Sequence, residues 1–536
     1  MAYKNAKMLT EGSGWVFETD RLGAPFGAKY YDFMPDSLEN ADVVIMKVFS
    51  FFTNDPVLII NLTSFFLFFL IAMTAYYALR QMGVRNDIAV FGAVVFDFMY
   101  YHFTRLVNHF SLGAYEFVPL SILLCVWLWQ DDQLLSFGKG FFRYKKNYLV
   151  ILFALLIANN GIAYYPFFTC MFLGITGVSK AIKEKKWQPL AKMLSMIMSI
   201  VLFLLIALLP SLFYQIKNGF QLTMRTVGDS ETYALKIVQL LVPYKDYGID
   251  KLRDFHEQYY NSFPFTEAHM SYLGFVAGAG FLLLLFAVFY NWKKNEDYKK
   301  NLVRLLMELN LFAVLFATMG GFSSIFANFV TGLIRAVNRI SIFLGFIGIA
   351  AFCILMTKFV KHKFIRFKKL KAVGYIVFIG LVVVGLRDQI PEDVIKDSAI
   401  LYIQKDSDRE FIRRIENQLP EGAMIYQLPY HPYPEGGTRY DMHDYHLLTG
   451  FLYSDTLRWS YGGGKGRKGD EWNQLISGME SSEMIRTLKE EGFAGLYVDR
   501  RAYSEEEFSG LYASLNECLG HEPICSQNSD LYFWKF

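Results

Sequence analysis

Long apolar runs separated by short polar connections dominate the first 390 residues. Measured against the roughly 20 apolar residues that a span requires, ten stretches qualify, near 56–79, 87–103, 111–129, 147–160, 163–179, 191–213, 270–291, 303–319, 340–360 and 372–386. Several are short or interrupted, as in "FALLIANNGIAYYPFFTCMF", where Asn159, Asn160 and Gly161 mark a tight turn between two helices. Past about residue 387 the pattern changes. "DREFIRRIENQL" and "SEMIRTLKEEG" carry helical periodicity, while "GAMIYQLPY", "FAGLYVDR" and "DLYFWKF" read as strands. The pattern predicts an α-helical polytopic membrane protein with a small C-terminal α/β domain. Its parts are a first loop over 1–55 with an amphipathic, jaw-like helix, a transmembrane region over 56–386 holding a long loop at 214–268, and a soluble region over 387–536.

Composition agrees. The chain has 536 residues, of which 53% are hydrophobic and only 19% charged, against about 25% charged in ordinary globular domains. A net charge of +3 gives no case for nucleic acid. The placement of the basic residues says more. Alternate connections carry Arg80 and Arg85; Lys139, Arg143, Lys145 and Lys146; Lys180 to Lys192; Lys293 to Arg304; and Lys358 to Lys371. The opposite turns are nearly free of Lys and Arg. By the positive-inside rule the basic connections are cytoplasmic, which puts 1–55, 214–268 and the C-terminal region on the outer face. A polar first segment on that face needs something to carry it across, and the stretch contains no signal-peptide pattern. The expectation is a further span upstream of Met1; the alternative is an N-out protein inserted by its first span alone.

The unusual residues cluster in those outer segments. "RLGAPFGAKYYDFMPDSLENADVVIMKVFSFF" supplies Asp32 and Asp36, with Asp20 just before it. "YYHFTRLVNHFSLGAYEF" puts His102, Arg105 and His109 at the mouth of two spans, and "NNGIAYYPFF" adds Tyr164 and Tyr165. "LIRAVNRIS" contributes Arg335, Asn338 and Arg339. Ionisable groups at membrane depth are costly and mark functional sites, although arginines also snorkel to headgroups. In the soluble region "GGGKGRKGDEW" lacks phosphate-loop spacing. His431, Asp441, His443 and His446 match no standard metal spacing. No metal and no cofactor is expected. Cys518 and Cys525 lie six residues apart across "LGHEPI", so a turn would bring them together as a disulfide; two free thiols is the alternative.

The segments "GSGWVFETDRLGAPFG…YYDF", "YYHFTRLVNHFSLGAYEFVPL", "LIRAVNRIS" and "LRWSYGGGKGR" resemble bacterial membrane proteins placed near the GT-C superfamily of polyprenyl-phosphate-sugar-dependent glycosyltransferases. The resemblance covers most of the chain. It implies an inverting glycosyltransferase in the bacterial inner membrane, with its C-terminal domain extracytoplasmic. Such an enzyme moves a sugar from a polyprenyl-phosphate donor to an envelope glycan or lipid acceptor. It also implies a carboxylate base, with Asp32, Asp36 and Asp20 as candidates in that order. Arg335 and Arg339 would hold the lipid phosphate, with Arg105 and His109 in support and His102, Tyr164, Tyr165 and Asn338 lining the site. In the superfamily the acid often sits close to the first span, a portion this sequence does not show. Two other readings remain: a transporter or flippase of lipid-linked intermediates, and a non-catalytic assembly factor for envelope polymers.

Overall fold

The computed structural model describes residues 1–11, 14–32, 41–136, 141–221, 228–244, 247–262, 267–290, 301–364, 371–391 and 398–536. Each of the ten apolar stretches is helical over most of its length. Four helices are long and apolar enough to cross a membrane by length and composition, at Pro56–Gln81, Tyr164–Glu184, Gln188–Asn218 and Val337–Val360. Val118–Gln130 and Gly274–Phe289 are apolar but shorter. Pro56–Gln81 starts at Asp55, whose carboxylate accepts from the amides of Val57 and Leu58, and places Pro56 where its missing N–H costs nothing. Leu194, Met198, Leu202, Leu205, Leu209 and Phe213 stand exposed along Gln188–Asn218, an apolar face suited to lipid.

The stretch read as a span at 87–103 is broken in the structure. Asn86–Asp97 ends at Phe98, and Tyr100–Asn108 begins a separate helix. A further short turn, Phe110–Gly113, precedes Val118–Gln130. These breaks lift His102, Arg105 and His109 out of a continuous rod and onto a folded corner. The tight turn at Asn159–Gly161 is present: Gly161, Ile162 and Ala163 all adopt left-handed backbone.

The centre of the bundle is the helix Ser341–Phe364, whose N-terminal part is almost wholly buried. It crosses Gly274–Phe286 backbone against backbone. A Cβ on Gly280 would lie 1.9 Å from the Gly348 carbonyl oxygen, and one on Gly348 would lie 2.3 Å from that of Ala277. Small residues at a crossing let two helices approach this closely where lipid provides no hydrophobic drive.

Residues 398–536 hold a five-stranded mixed sheet. β3 (Met424–Leu428), β4 (Arg458–Trp459) and β5 (Phe493–Asp499) are parallel, while β7 (Leu531–Lys535) runs antiparallel to both its neighbours, β5 and β6 (Ile524–Cys525), in the order β4-β3-β5-β7-β6. Helices Ser398–Glu416, Lys468–Ser477, Ser481–Glu490 and Glu505–Leu519 accompany it. The last of these opens on a complete capping box between Ser504 and Glu507. β4 and β6 were not legible in the sequence because each is two residues long. Cys518 and Cys525 are free and exposed, so the disulfide expectation is corrected: an exposed helix end and an exposed edge strand present the two thiols separately.

The N-terminal segment belongs structurally with this sheet. A small hairpin pairs β1 (Glu18–Thr19) with β2 (Ala28–Lys29). Beside it the chain runs along β4: Trp459 N–H donates to Arg21 O at 2.8 Å, and Ala24 and Gly23 N–H donate to Trp459 O and Tyr461 O. Met8, Leu22, Ala28 and Tyr30 share one apolar core with Ile425, Tyr433, Trp459 and Phe533. Helix Ala2–Thr10 docks through two buried lysines, Lys4 donating to the Tyr433 hydroxyl at 3.0 Å and Lys7 to Ser454 O at 2.6 Å.

Candidate functional site

Two arginines and a histidine singled out in the sequence meet around one carboxylate. Arg105 stands on Tyr100–Asn108, His109 follows that helix, and Arg339 lies on the 3-10 turn Val337–Ile340. The carboxylate is Glu267, at the head of the turn Glu267–Ser271. Arg105 Nη1 donates to Glu267 Oε2 at 2.9 Å, and Arg339 Nη2 donates to Oε1 at 3.0 Å and to Oε2 at 3.2 Å, with Nε at 3.3 Å from Oε2. His109 Nε2 stands 3.5 Å from Oε1. Arg105 is fully buried and Arg339 is 8% exposed. Their guanidiniums lie over the rings of Tyr101, at 5.2 Å, and Tyr164, at 4.4 Å.

Charge is unbalanced here. Burial by itself would raise the Glu267 carboxyl, but the guanidiniums of Arg339 and Arg105, then His109, outweigh it and hold the group well below the ordinary carboxylate range. Burial pushes His109 down to about 4, the Glu267 charge opposing and the two arginines adding to the shift. At neutral pH the cluster therefore holds two guanidiniums, a neutral imidazole and one carboxylate, a net positive charge. It also keeps unused donors: Arg105 Nε and Nη2 have no partner. A buried guanidinium with free N–H groups is equipped for a second anion, and its fork matches phosphate.

Neighbouring residues fix this geometry. The Tyr165 hydroxyl donates to Leu112 O at 2.5 Å and stands 3.2 Å from the Tyr101 hydroxyl, tying the turn after Tyr164 to the corner that bears His109. The Tyr164 hydroxyl accepts from Ala336 N–H at 3.4 Å, beside the turn that bears Arg339. Gly161 makes room for this: a Cβ there would sit 2.1 Å from the Tyr165 ring. Asn338 is buried next to Arg339 with its side-chain amide unpartnered.

The other candidates lie elsewhere. Asp32 is clasped by Arg467, with contacts of 2.7 and 2.8 Å. That arginine also donates to Asn218 O and Gly219 O at the end of the long helix and covers the Tyr214 ring. The glycine-rich stretch is thus a clamp between the sheet region and the bundle, and Asp32 is its counter-ion, not a free base. Asp20 is exposed and its carbonyl accepts from Arg458. Asp36 lies outside the described residues. Arg335 is turned away from Arg339, 3.7 Å from Asp229 and 3.8 Å from Glu435, over the Tyr233 ring. His102 is wholly buried among Phe68, Phe103 and Tyr115. Glu267 was missed. It falls at the end of the long polar loop, and the one hint in the sequence is a carboxylate directly before an apolar run.

His443 and His446 stack edge to face at 5.2 Å. Among the described residues no group of three or more His, Cys, Asp or Glu is placed to hold a metal. A cavity in the sheet region is lined by Tyr430, His431, Tyr461, Asp470 and Asn473, none of them a residue of the cluster.

No curated protein matches the chain. Among solved structures, the arabinofuranosyltransferase AftD from Mycobacteria is similar at 12% identity and a TM-score of 0.44, over 93% of this chain and 34% of that one. The chain thus spans about a third of that protein's length, and a likeness of this degree is too slight to carry function across. A family model described as "Domain of unknown function (DUF6311)" matches residues 17–327, a stretch that takes in Arg105, His109 and Glu267 and stops short of Arg339. The match spans more than half of the chain, and the chain belongs to this family.

Proposed function

We propose that the protein is a membrane glycosyltransferase that moves a sugar from a polyprenyl-phosphate donor to an envelope glycan or lipid acceptor, on the non-cytoplasmic face of a bacterial inner membrane. The observation that carries this reading is the pair of buried guanidiniums on Glu267 with N–H groups left over. In this reading the donor phosphate takes the Arg105 and Arg339 forks. The incoming anion shares the positive charge that now holds Glu267 ionised, so its carboxylate regains ordinary basicity and accepts the acceptor hydroxyl's proton. The acceptor oxygen then bonds to the anomeric carbon, and the bond to phosphate oxygen breaks with its electron pair left on the phosphate. Both arginines stabilise that charge. The basic connections on the opposite face and the position of the cluster at the folded corner support the orientation.

Because the sugar is not specified, the first test uses polyprenyl phosphate without one. Full-length protein in nanodiscs should bind it, and Arg105→Ala or Arg339→Ala should weaken binding about 10- to 100-fold, the range for losing a charge-assisted hydrogen bond. Transfer of labelled sugar from a panel of polyprenyl-phosphate sugars should fall with both variants and vanish with Glu267→Gln. Equal affinity for polyprenol, which lacks the phosphate, would sink the proposal.

A further inference from the structure

The cleft in the sheet region lies where the strand order predicts a ligand. β3 has β4 on one side and β5 on the other, so the chain leaves β3 in one direction and later crosses back past it. In open α/β sheets ligands bind in the crevice outside the carboxyl ends of the strands at such a switch point. The cleft sits at that crevice. Tyr430 and His431 follow β3, Tyr461 and Gly463 follow β4, and Asp470 and Asn473 come from Lys468–Ser477. Counted out to its open mouth it measures about 280 Å³, a size that suits one ring better than an extended ligand.

Hydrogen bonds fix its walls. The Tyr430 hydroxyl donates to Asp470 Oδ1 and Gly466 N–H to Asp470 Oδ2, each at 2.9 Å, and the Tyr461 hydroxyl donates to Asp444 O at 2.7 Å. Asn473 Nδ2 donates to Ser460 O at 2.9 Å, which joins the helix to the end of β4. That bond leaves Oδ1 unpaired in a side chain only 9% exposed. His431 is 8% exposed and its Nε2 is unpaired as well. Burial holds this imidazole below its ordinary value, and its ring donates to the Gly437 backbone, so the remaining nitrogen is a neutral acceptor. Buried polar atoms without partners are costly, and both of these belong to residues that line one cleft.

The lining defines the ligand's chemistry. Its free atoms are acceptors with a carboxylate beside them, so the ligand must bring donors. Among the described residues none of those lining it is Lys or Arg, which argues against a phosphate or another anion. The rings of Tyr430 and Tyr461 add apolar surface with a polar rim. Hydroxyl donors arranged around the apolar face of a ring are the chemistry of a sugar. We propose that the cleft holds one neutral sugar residue. On the glycosyltransferase reading, on which only this role rests, that residue belongs to the acceptor glycan. A contact links the two sites: Glu435, in the loop after His431, stands 3.8 Å from Arg335, which leads into the turn that bears Arg339.

The test offers methyl glycosides of glucose, galactose, mannose and N-acetylglucosamine to full-length protein in nanodiscs, without any sugar donor, and reads affinity by saturation-transfer NMR. At least one should bind to wild type. Tyr430→Ala and Asn473→Ala should each weaken it about 3- to 10-fold, the contribution of one neutral hydrogen bond. Gly463→Val keeps the test valid if either variant unfolds, because a Cβ there meets Asp470 N at 3.5 Å, an ordinary contact, and the side chain should block the cleft. Arg105→Ala should bind glycosides as wild type does, so failure of the anion site and failure of this one are separate results. Absence of binding by every neutral glycoside would overturn the proposal, as would binding untouched by Tyr430→Ala and Gly463→Val. Binding of glucosamine alone would identify an ammonium site and overturn it too. Glycosides that bind while Tyr430→Ala transfers sugar at the wild-type rate would remove the acceptor role and leave the sugar site standing.

Discussion

Replacing Glu267 by Gln removes one charge from a buried set of three and keeps the side chain's shape. The carboxylate accepts from Arg105 and, through both its oxygens, from Arg339, and the two arginines are 0% and 8% exposed. Without it two like charges face each other with little water to screen them. Breaking a buried ion pair by removing one partner costs about 3–5 kcal/mol, and Glu267→Gln should destabilise the bundle by that order. Asp250→Asn provides the contrast, because Asp250 and Arg253 pair at the surface with 82% and 41% of their side chains exposed, and such pairs contribute about 0–1 kcal/mol. Unfolding of both variants in nanodiscs measures the difference. The decisive arm adds pyrophosphate: an anion that enters the Arg105–Arg339 pair should stabilise Glu267→Gln more than wild type, because in the wild type it competes with the carboxylate. A Glu267→Gln protein as stable as wild type and indifferent to pyrophosphate would refute the electrostatic account of the cluster.

Gly280→Ala should destabilise by about 1–3 kcal/mol, as overpacking does, because its Cβ meets the Gly348 carbonyl, which is backbone and cannot rotate away; a neutral result in unfolding assays would mean that the crossing is looser than described. His109, held down to about 4, stays neutral in the folded chain while an unfolded histidine protonates below about 6.5. Stability should therefore decline as pH falls from about 6.5 towards 4, and His109→Gln should flatten that part of the pH–stability curve. Glu267 acts at lower pH: its carboxyl is held below the ordinary range in the folded chain, so its contribution is full above an unfolded glutamate's pKa of about 4.3 and is lost progressively as pH falls below that. Cys518 and Cys525 should both react with a maleimide reagent without prior reduction; resistance to labelling until a reductant is added would contradict the free thiols.

Helical stretches were legible because apolar runs of this length have few alternatives, and Gly161 with its neighbours announced their turn by composition alone. The breaks at Phe98 and Gly113 were not: Asp97, Ser111 and Gly113 stand beside them, but single polar residues and glycines also occur inside unbroken apolar helices. Arg105 and Arg339 stood out as charges in apolar surroundings, which is a local property. Their partner did not, because Glu267 is 162 residues from one and 72 from the other, and a carboxylate in a polar loop looks like any other until the fold buries it. The same distance problem misdirected the reading of Asp32. Its neighbours suggested a loop over the bundle, whereas its partner Arg467 comes from 435 residues away, and the ion pair absorbs the carboxylate that a base would need free. Local pattern thus identifies charges whose burial is expensive, while their function depends on which opposite charge the topology delivers. Here the topology delivers one carboxylate to two guanidiniums and leaves Arg105 donors unused, and that surplus is the observation on which the proposed anion site rests.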